Sequence, residues 1–287
     1  MKKSVTYWML GGFEGETPVA EAAKQAKALG YDAIELSFGA GELTPETDAA
    51  QLRALKAQVA DAGVELASLI TGNYWACSLS SPDAAERDAA VAFTRAYIQA
   101  AGELGAGAVL VIPGAVSVPF DPSKPVVPAL EVWERAHNAI QAVLPVAEDA
   151  GVCIAVENVW NKFLTGPFEY RDFIASFGSP SVKGYFDVGN CLLTGYPEHW
   201  IPILGEHIGR VHVKNFTQRN GGGTLDDFSA SLLEGSVNWD AVIPALKAAG
   251  YDSYLTAEML VSEKGLPDTE LAAQTCRELD QLLSRHG

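Results

Sequence analysis

The sequence has no long apolar run, and no stretch approaches the roughly 20 apolar residues of a membrane-spanning helix. Residues 1–16 contain two lysines, but their apolar run is short and is interrupted by glycine and glutamate, which is a poor match to a signal peptide. Cysteine is scarce as well, and the four cysteines form no CxxC pair: Cys77, Cys153, Cys191 and Cys276. We therefore expect a cytoplasmic protein with reduced thiols and no membrane contact.

Basic residues are also few. The chain has 20 lysines and arginines against 36 aspartates and glutamates, which gives a net charge of −16 and a pI near 4.6. Nucleic acids and anionic membranes need a basic surface, which this balance does not provide. We expect the partners to be small molecules and not nucleic acids.

What the chain does contain is a regular alternation of short apolar segments with amphipathic stretches. Glycine recurs where an amphipathic stretch ends, as in "KALGYD" and "KAAGYD", which is typical of a helix that stops just before a strand. The eight strand candidates are, in chain order, "VTYWML", "AIELSF", "VELASLI", "AVLVIP", "VCIAVENV", "VKGYFDVG", "GRVHVKN" and "SYLTAEM".

Nearly continuous apolar strands that alternate with helices predict a parallel sheet covered by helices. Eight such units in 287 residues fit one closed (β/α)8 TIM barrel, a single domain that spans residues 1–287. An open doubly wound sheet is the alternative. The segment "LGGFEGE" after the first strand candidate does not match the dinucleotide-binding pattern GxGxxG, which favours the barrel.

Ionisable residues stand at the ends of the last four strand candidates: Glu157, Asp187, His212 and Glu258. In a (β/α)8 barrel the carboxyl ends of the strands form the mouth at which the chemistry takes place. Any one of the four alone is commonly explained by a salt bridge or a helix cap. All four on successive strands favour one shared site.

Three carboxylates that meet at one point repel each other unless a cation or protons intervene. The four residues are therefore predicted to bind one divalent metal ion. Oxygen donors with one imidazole suit Mn²⁺ best, with Mg²⁺ and Co²⁺ as alternatives, whereas a structural zinc site more often uses cysteine.

The second half of the chain resembles a known family. The segments "VENVWNKFL", "YFDVGNCLLTGYPEHWIPILG", "RVHVKNF", "LLEGSVNW" and "LTAEM" resemble the sugar phosphate isomerase/epimerase group of the xylose-isomerase-like barrels, particularly the L-ribulose-5-phosphate 3-epimerase (ketose 3-epimerase) type. The resemblance implies that Glu157, Asp187, His212 and Glu258 bind the metal. It also implies that Glu157 and Glu258 transfer the protons.

Epimerisation at C3 of a ketose or ketose phosphate is the expected reaction. The C3 hydrogen is weakly acidic, so its removal requires a stabilised ene-diolate, and inversion requires two acid/base groups on opposite faces of the substrate. An aldose-ketose isomerase is the nearest alternative. A lyase or dehydratase of the inosose dehydratase or C-glycoside-cleaving type and a non-catalytic sugar-binding barrel remain open.

Five further residues are expected to contact the substrate: Asn190, Lys214, Glu35, Trp8 and Trp75. For each of them a structural role is the alternative, namely a turn for Asn190, a solvated rim position for Lys214 and packing for the tryptophans. Free-ketose 3-epimerases of the superfamily carry histidine and glutamate at the positions of Asn190 and Phe163. These two departures count against a free sugar, whereas the acidic surface counts against a phosphate, so both substrates remain open.

Two loops are expected to close the pocket. The segment 118–128 is rich in proline, and "RNGGG" at 219–223 follows the seventh strand candidate, where barrels often bind phosphate through backbone amides; a flexible loop is the alternative. Some of these loops are expected to pack against a second subunit in a homo-oligomer, a dimer or a tetramer. The remaining histidines are assigned to helices or loops: His137, His199, His207 and His286.

Overall fold

A computed structural model describes residues 1–219, 222–229, 231–259 and 267–286. Within these residues, eight parallel strands form a closed barrel in which the last strand pairs with the first. The strands are β1 Lys2–Thr6, β2 Ala33–Ser37, β3 Glu65–Ile70, β4 Ala108–Val111, β5 Cys153–Glu157, β6 Val182–Asp187, β7 Ile208–Val213 and β8 Tyr254–Ala257. The predicted (β/α)8 architecture is confirmed.

The longer helices surround the barrel on its outer face, whereas two short helices follow directly on strand ends at the mouth. In chain order the helices are α1 Tyr7–Gly11, α2 Val19–Leu29, α3 Ala49–Ala62, α4 Ala84–Leu104, α5 Ala129–Ala150, α6 Pro167–Ala175, α7 Val188–Cys191, α8 Pro197–Leu204, α9 Trp239–Ala248 and α10 Thr269–Arg285. The two short helices at the mouth are α1 and α7. Because helices cover the strands outside and side chains fill the barrel inside, both faces of β2 and β4 are buried along their whole length. This explains why the strands read as unbroken apolar runs.

The recurrent glycines end helices, as predicted. Gly30 after α2 has φ +97° and Gly105 after α4 has φ +80°, a left-handed conformation that side-chain-bearing residues rarely adopt. Each glycine turns the chain toward the next strand. Asp48 begins α3 with a capping box, in which its side chain accepts from Gln51 N–H while the Gln51 side chain accepts from Asp48 N–H.

The first strand candidate, "VTYWML", is wrong after its first two residues. β1 ends at Thr6, and the apolar residues that follow form the short helix α1. A short apolar run does not distinguish a strand from a buried helical turn, because both hide every side chain. Trp8 therefore lies on α1 at the barrel mouth.

The loops at the mouth differ in structure. The proline-rich segment 118–128 is a loop between β4 and α5, as predicted. After β7, Asn215–Phe216 pairs with Phe228–Ser229 in a short antiparallel ribbon. Asn220 and Gly221 of the predicted phosphate loop lie outside the described residues.

The remaining histidines lie on helices or loops, as predicted. His137 lies on α5, His199 on α8, His207 in a turn before β7 and His286 after α10, away from the strand ends that form the mouth. Among the described residues, no helix combines the length and apolarity that a membrane crossing requires.

Candidate metal centre

The barrel brings the four predicted ligands together. Glu157 and Asp187 are the last residues of β5 and β6, His212 is the next-to-last residue of β7, and Glu258 follows β8 directly. Strand pairing sets Asp187 beside His212 in the register of the sheet. One potential ligand atom from each of the four lies within 4.8 Å of the others.

Two polar atoms at the centre of this cluster make no hydrogen bond. His212 Nδ1 is 3.7 Å from Glu157 Oε1, 3.9 Å from Asp187 Oδ2 and 3.5 Å from Glu258 Oε2. Asp187 Oδ2 and His212 Nδ1 are both buried and make no hydrogen bond, although Asp187 Oδ2 lies 3.0 Å from the Lys214 ammonium. A buried polar atom left in this state costs about 1–3 kcal/mol, which a cation shared by the four side chains would remove. Three carboxylates and one imidazole fit a divalent ion such as Mn²⁺, Mg²⁺ or Co²⁺.

Lys214 belongs to the same cluster. Its Nζ lies 2.5 Å from Glu258 Oε2 and 3.0 Å from Asp187 Oδ2, and its side chain is 14% exposed. Burial opposes the charged ammonium, but Asp187, Glu258 and Glu157 outweigh it and raise the pKa of Lys214. The alternative of a solvated lysine at the rim is therefore wrong.

The two glutamates have different environments. Burial raises the pKa of Glu157 to about 7; the neighbouring His212 acts in the opposite direction, and Glu258 raises the pKa further. Burial acts on Glu258 in the same direction, but Lys214 and His212 overcome it and lower the pKa of Glu258. Burial also raises the pKa of Asp187. The two environments thus push the pKa values of the two glutamates apart.

Glu35 lies below the cluster and not in the pocket wall where the sequence placed it. Its Oε2 is 2.9 Å from His212 Nε2, and its Oε1 accepts hydrogen bonds of 2.6 Å from Ser68 Oγ and Tyr185 OH. The reason is that Glu35 is the middle residue of β2, two positions below the strand end, so its side chain points into the barrel interior. Burial opposes the imidazolium, but Glu258 and Glu35 raise the pKa of His212 well above its usual range.

Two asparagines hold the strand ends in place. Asn158 Oδ1 accepts from Asp187 N–H at 2.8 Å, and Asn158 Nδ2 donates to the Asp187 carbonyl at 2.9 Å. Asn190 N–H donates to Asp187 Oδ1 at 2.7 Å, so Asp187 also begins α7. Sequence reasoning missed Asn158, although an asparagine directly after the strand-end Glu157 was a usable signal.

A cavity of about 1000 Å³ opens above the cluster. Glu157, Glu258 and Lys214 line it, whereas Asp187 and His212 are fully buried behind them. Asn190 lines the cavity as expected, and its Nδ2 lies 3.5 Å from Glu157 Oε1. The two glutamates are therefore the cluster carboxylates that a bound molecule can touch.

Aromatic side chains form much of the wall. The predicted Trp8 and Trp75 both line the cavity, and each also packs edge-to-face against another lining ring. The sequence reasoning missed the other aromatic residues of the wall: Phe13, Phe38, Phe120, Trp160 and Phe228. They come from loops after five different strands, where no periodic pattern marks them.

Charged groups that would recognise a phosphate are few. Of the described residues that line the cavity, Lys214 is the one cation, and Glu14 and Asp226 add negative charge. Arg219, at the start of the predicted phosphate loop, forms an ion pair with Asp227. Phe163, which occupies the position of a glutamate in free-ketose epimerases, is buried against Trp133 outside the cavity wall.

Comparisons with known proteins agree with this architecture. A D-psicose 3-epimerase crystallised in the presence of D-fructose is 20% identical, with a TM-score of 0.78 over 99% of this chain and 98% of that one. An L-ribulose 3-epimerase is also 20% identical, with a TM-score of 0.79 over 99% of this chain and 95% of that one. At such identities the likeness shows the fold alone.

Sequence comparison is more specific. An uncharacterized protein of Methanocaldococcus jannaschii is 27% identical over 132 residues, which is 45% of this chain and 44% of that protein, so the alignment spans less than half of either. The family model for the xylose isomerase-like TIM barrel matches residues 23–282, nearly the whole chain. The chain belongs to the xylose isomerase-like TIM barrel family.

Proposed function

We propose that the protein is a divalent-metal-dependent epimerase that inverts C3 of a ketose. The observation that carries the proposal is the division within the cluster: Glu157 and Glu258 line the cavity, while Asp187 and His212 are buried behind them. Two carboxylates exposed to a bound sugar match the requirement for proton transfer on two faces. The similar folds of a D-psicose 3-epimerase and an L-ribulose 3-epimerase support the same reaction class.

Glu157, Asp187, His212 and Glu258 would hold the ion. When bound, it supplies positive charge that stabilises the ene-diolate formed on loss of the C3 proton. Mn²⁺ is the proposed ion, because hard oxygen donors dominate the set and one imidazole completes it.

The two glutamates are proposed to transfer the protons, one removing a proton from C3 and the other delivering a proton to C3. In one direction Glu258, which lies beside the Lys214 ammonium, removes the C3 proton, and Glu157 delivers a proton to the opposite face. In the reverse direction the two exchange roles. Lys214 keeps Glu258 ionised and, as a residue of the cavity wall, donates a hydrogen bond to a substrate oxygen.

The proposed substrate is a ketose without a phosphate. Among the described wall residues the one cation, Lys214, is already paired with Glu258 and Asp187, and Glu14 and Asp226 would repel a phosphate. Trp8 and Trp75 offer faces against which the apolar face of a sugar packs. Asn190 offers an amide to a hydroxyl.

Deuterium labelling tests the reaction. The protein would be incubated with Mn²⁺ in heavy water with a panel of ketoses and ketose phosphates, and the products followed by NMR. Deuterium at C3 together with the C3 epimer is the expected result. Deuterium at C1 or C2 with an aldose product would establish the isomerase, and loss of water or of a leaving group would establish the lyase. If the metal-loaded protein incorporates no deuterium into any sugar, the enzyme hypotheses fail and the non-catalytic sugar-binding barrel is favoured.

We also propose that this chain is one domain, acts in the cytoplasm and forms a homo-oligomer, a dimer or a tetramer. The loop after β4 and the start of α5 expose Phe120, Val126 and Leu130 at 51%, 75% and 69%, which is costly for a monomer in water. Light scattering at micromolar concentration should give a mass above that of one chain. A monomer under these conditions would refute the assembly without affecting the reaction.

A further inference from the structure

Glu35 is a carboxylate with no access to solvent or to the substrate cavity. It is fully buried, and it is not among the described residues that line the cavity. A carboxylate in such a place is costly unless both oxygens are satisfied. Here both are, since Ser68 and Tyr185 donate to Oε1 and His212 Nε2 contacts Oε2.

The contact with His212 decides which ring nitrogen carries a proton. A carboxylate accepts hydrogen bonds and does not donate them, so His212 Nε2 is the donor to Glu35 Oε2 across the 2.9 Å contact. Metal binding requires the loss of any proton on Nδ1, and an imidazole that keeps its proton on Nε2 then directs the Nδ1 lone pair at the point shared by Glu157, Asp187 and Glu258. In the other tautomer an N–H would point there and would block coordination.

The orientation of the ring is held by the same group. The Tyr185 ring lies 4.2 Å from the His212 ring, centroid to centroid, while the Tyr185 hydroxyl donates to Glu35. Ser68 approaches from β3 and Tyr185 from β6, so two further strands fix the position of the Glu35 carboxylate on β2. His212 on β7 is then held by a carboxylate from a strand that is not its neighbour in the barrel.

We propose that Glu35 is a positioning residue of the metal centre, which keeps the proton of His212 on Nε2 and turns Nδ1 toward the ion. The inference rests on the metal site of the proposed function, but not on the identity of the sugar. Hydrogen-bonded partners of metal-binding histidines commonly change metal affinity by about 10–100-fold when they are removed.

Glu35→Gln is the decisive variant because it keeps the size of the side chain. The hydroxyls of Ser68 and Tyr185 continue to donate to the amide oxygen, so the amide NH2 faces His212 Nε2. Since Nε2 must then accept, the ring proton moves to Nδ1. We expect Mn²⁺ affinity, measured by calorimetric titration of the full chain, to fall about 10–100-fold. We expect ¹⁵N NMR of the metal-free variant, at a pH at which His212 is neutral, to show the ring proton on Nδ1.

Ser68→Ala is the matched control. It removes one buried hydrogen bond to Glu35 but leaves the contact with His212 intact. We expect this variant to keep the Nε2–H form of His212 and to lose far less Mn²⁺ affinity than Glu35→Gln. An equal loss in both variants would show that Glu35 acts only through packing.

Each outcome decides between the hypotheses. If the unmodified chain binds no Mn²⁺, the proposed function fails before the variants are compared. If it binds Mn²⁺ and Glu35→Gln binds equally well, or binds more weakly with the His212 tautomer unchanged, the positioning role is refuted and the metal site stands. Should Glu35→Gln fail to fold, Glu35→Asp keeps the carboxylate and withdraws it from the ring, and the same two measurements apply.

Discussion

The two halves of the barrel end their strands in different chemistry. In the late half, β5 to β8 carry Glu157, Asp187, His212 and Glu258 at or directly after their ends. In the early half, β1 to β4 end at Thr6, Ser37, Ile70 and Val111. Among the described residues, the charges of the cluster lie on one side of the mouth, and the other side supplies hydroxyls, apolar surface and most of the aromatic residues of the wall: Trp8, Phe13, Phe38, Trp75 and Phe120.

The difference shows that the residues proposed to react lie in the late half of the barrel, whereas residues that help to position them lie in the early half. The late half gathers three carboxylates around one imidazole, a costly arrangement that Lys214 partly compensates. The early half contributes Glu35, which reaches across the interior to hold His212 from below. We therefore expect changes in the late half to alter chemistry and changes in the early half to alter binding or stability.

The largest effect is expected from the two glutamates of the late half. Glu157→Gln and Glu258→Gln keep the side-chain size and an oxygen donor but remove the proton transfer, so each should lower turnover by about 10²–10⁴-fold while retaining some metal. With one base left, each variant should still exchange the C3 proton of one epimer with heavy water, and the two variants should prefer opposite epimers. Near-normal epimerisation by either variant, or exchange of the same epimer by both, would exclude the two-base mechanism.

Removal of the Lys214 ammonium should reveal the repulsion between the cluster carboxylates that it compensates. Lys214→Met leaves Glu258 and Asp187 without the ammonium 2.5 and 3.0 Å away, which should cost the metal-free protein about 3–5 kcal/mol of unfolding free energy. Added Mn²⁺ should restore most of that loss, because it neutralises the same carboxylates. Lys183→Met is the control. The exposed Lys183 ammonium donates to the backbone carbonyl of Glu206 and not to a carboxylate, so this variant should change the free energy of unfolding little.

The free energy of unfolding of both variants would be measured by denaturant unfolding, with and without Mn²⁺. Equal losses in Lys214→Met and Lys183→Met would mean that the cluster carboxylates do not need a cation.

A change to the aromatic wall of the early half should affect binding more than turnover. Trp75→Ala removes a ring that lines the cavity and packs against Phe120, so KM should rise about tenfold while kcat changes little. Steady-state kinetics with a ketose substrate provide the test. Phe168→Ala, an exposed aromatic residue on α6 outside the described cavity wall, should leave both constants unchanged. A fall in kcat with KM preserved would place chemistry in the early half and contradict the division.

The smallest effect is expected on the outer shell of the early half. Asp48→Ala removes the side-chain acceptor that begins α3, which should cost about 1 kcal/mol of stability. Catalysis should not change, because α3 lies outside the barrel. Thermal unfolding and steady-state kinetics of the same preparation would measure both quantities. A loss of activity in the folded variant would show that α3 influences the active site and would contradict the prediction.

Much of the fold was predictable from local signals. Helix, glycine and strand recur along the chain, and the left-handed conformations of Gly30 and Gly105 are the physical cause of that pattern. The four candidate ligands were predictable because the carboxyl ends of parallel strands meet at one mouth. The boundary of β1 was not predictable, since a buried helical turn and a buried strand share the same apolar run.

The surroundings of the site were less accessible from the sequence. Glu35 was expected at the mouth, but its height in the barrel depends on the register of β2 against β3 and on which face of the strand it occupies. The aromatic wall comes from loops after five strands, and a loop residue carries no periodicity that reveals where it points. Asn158 gains its role only because β6 lies beside β5.

The sequence by itself determined the order of the strands and helices and the kinds of donor atoms that stand at the strand ends, because caps, glycine turns and apolar periodicity act over a few residues. Only the tertiary structure decided which of those atoms meet. Closure of the barrel brings Glu35 to within 2.9 Å of His212 across 177 residues of chain and leaves Glu157 and Glu258, but not Asp187 and His212, facing the cavity. These contacts depend on strand register and on packing between distant elements, and no short segment of the chain contains that information.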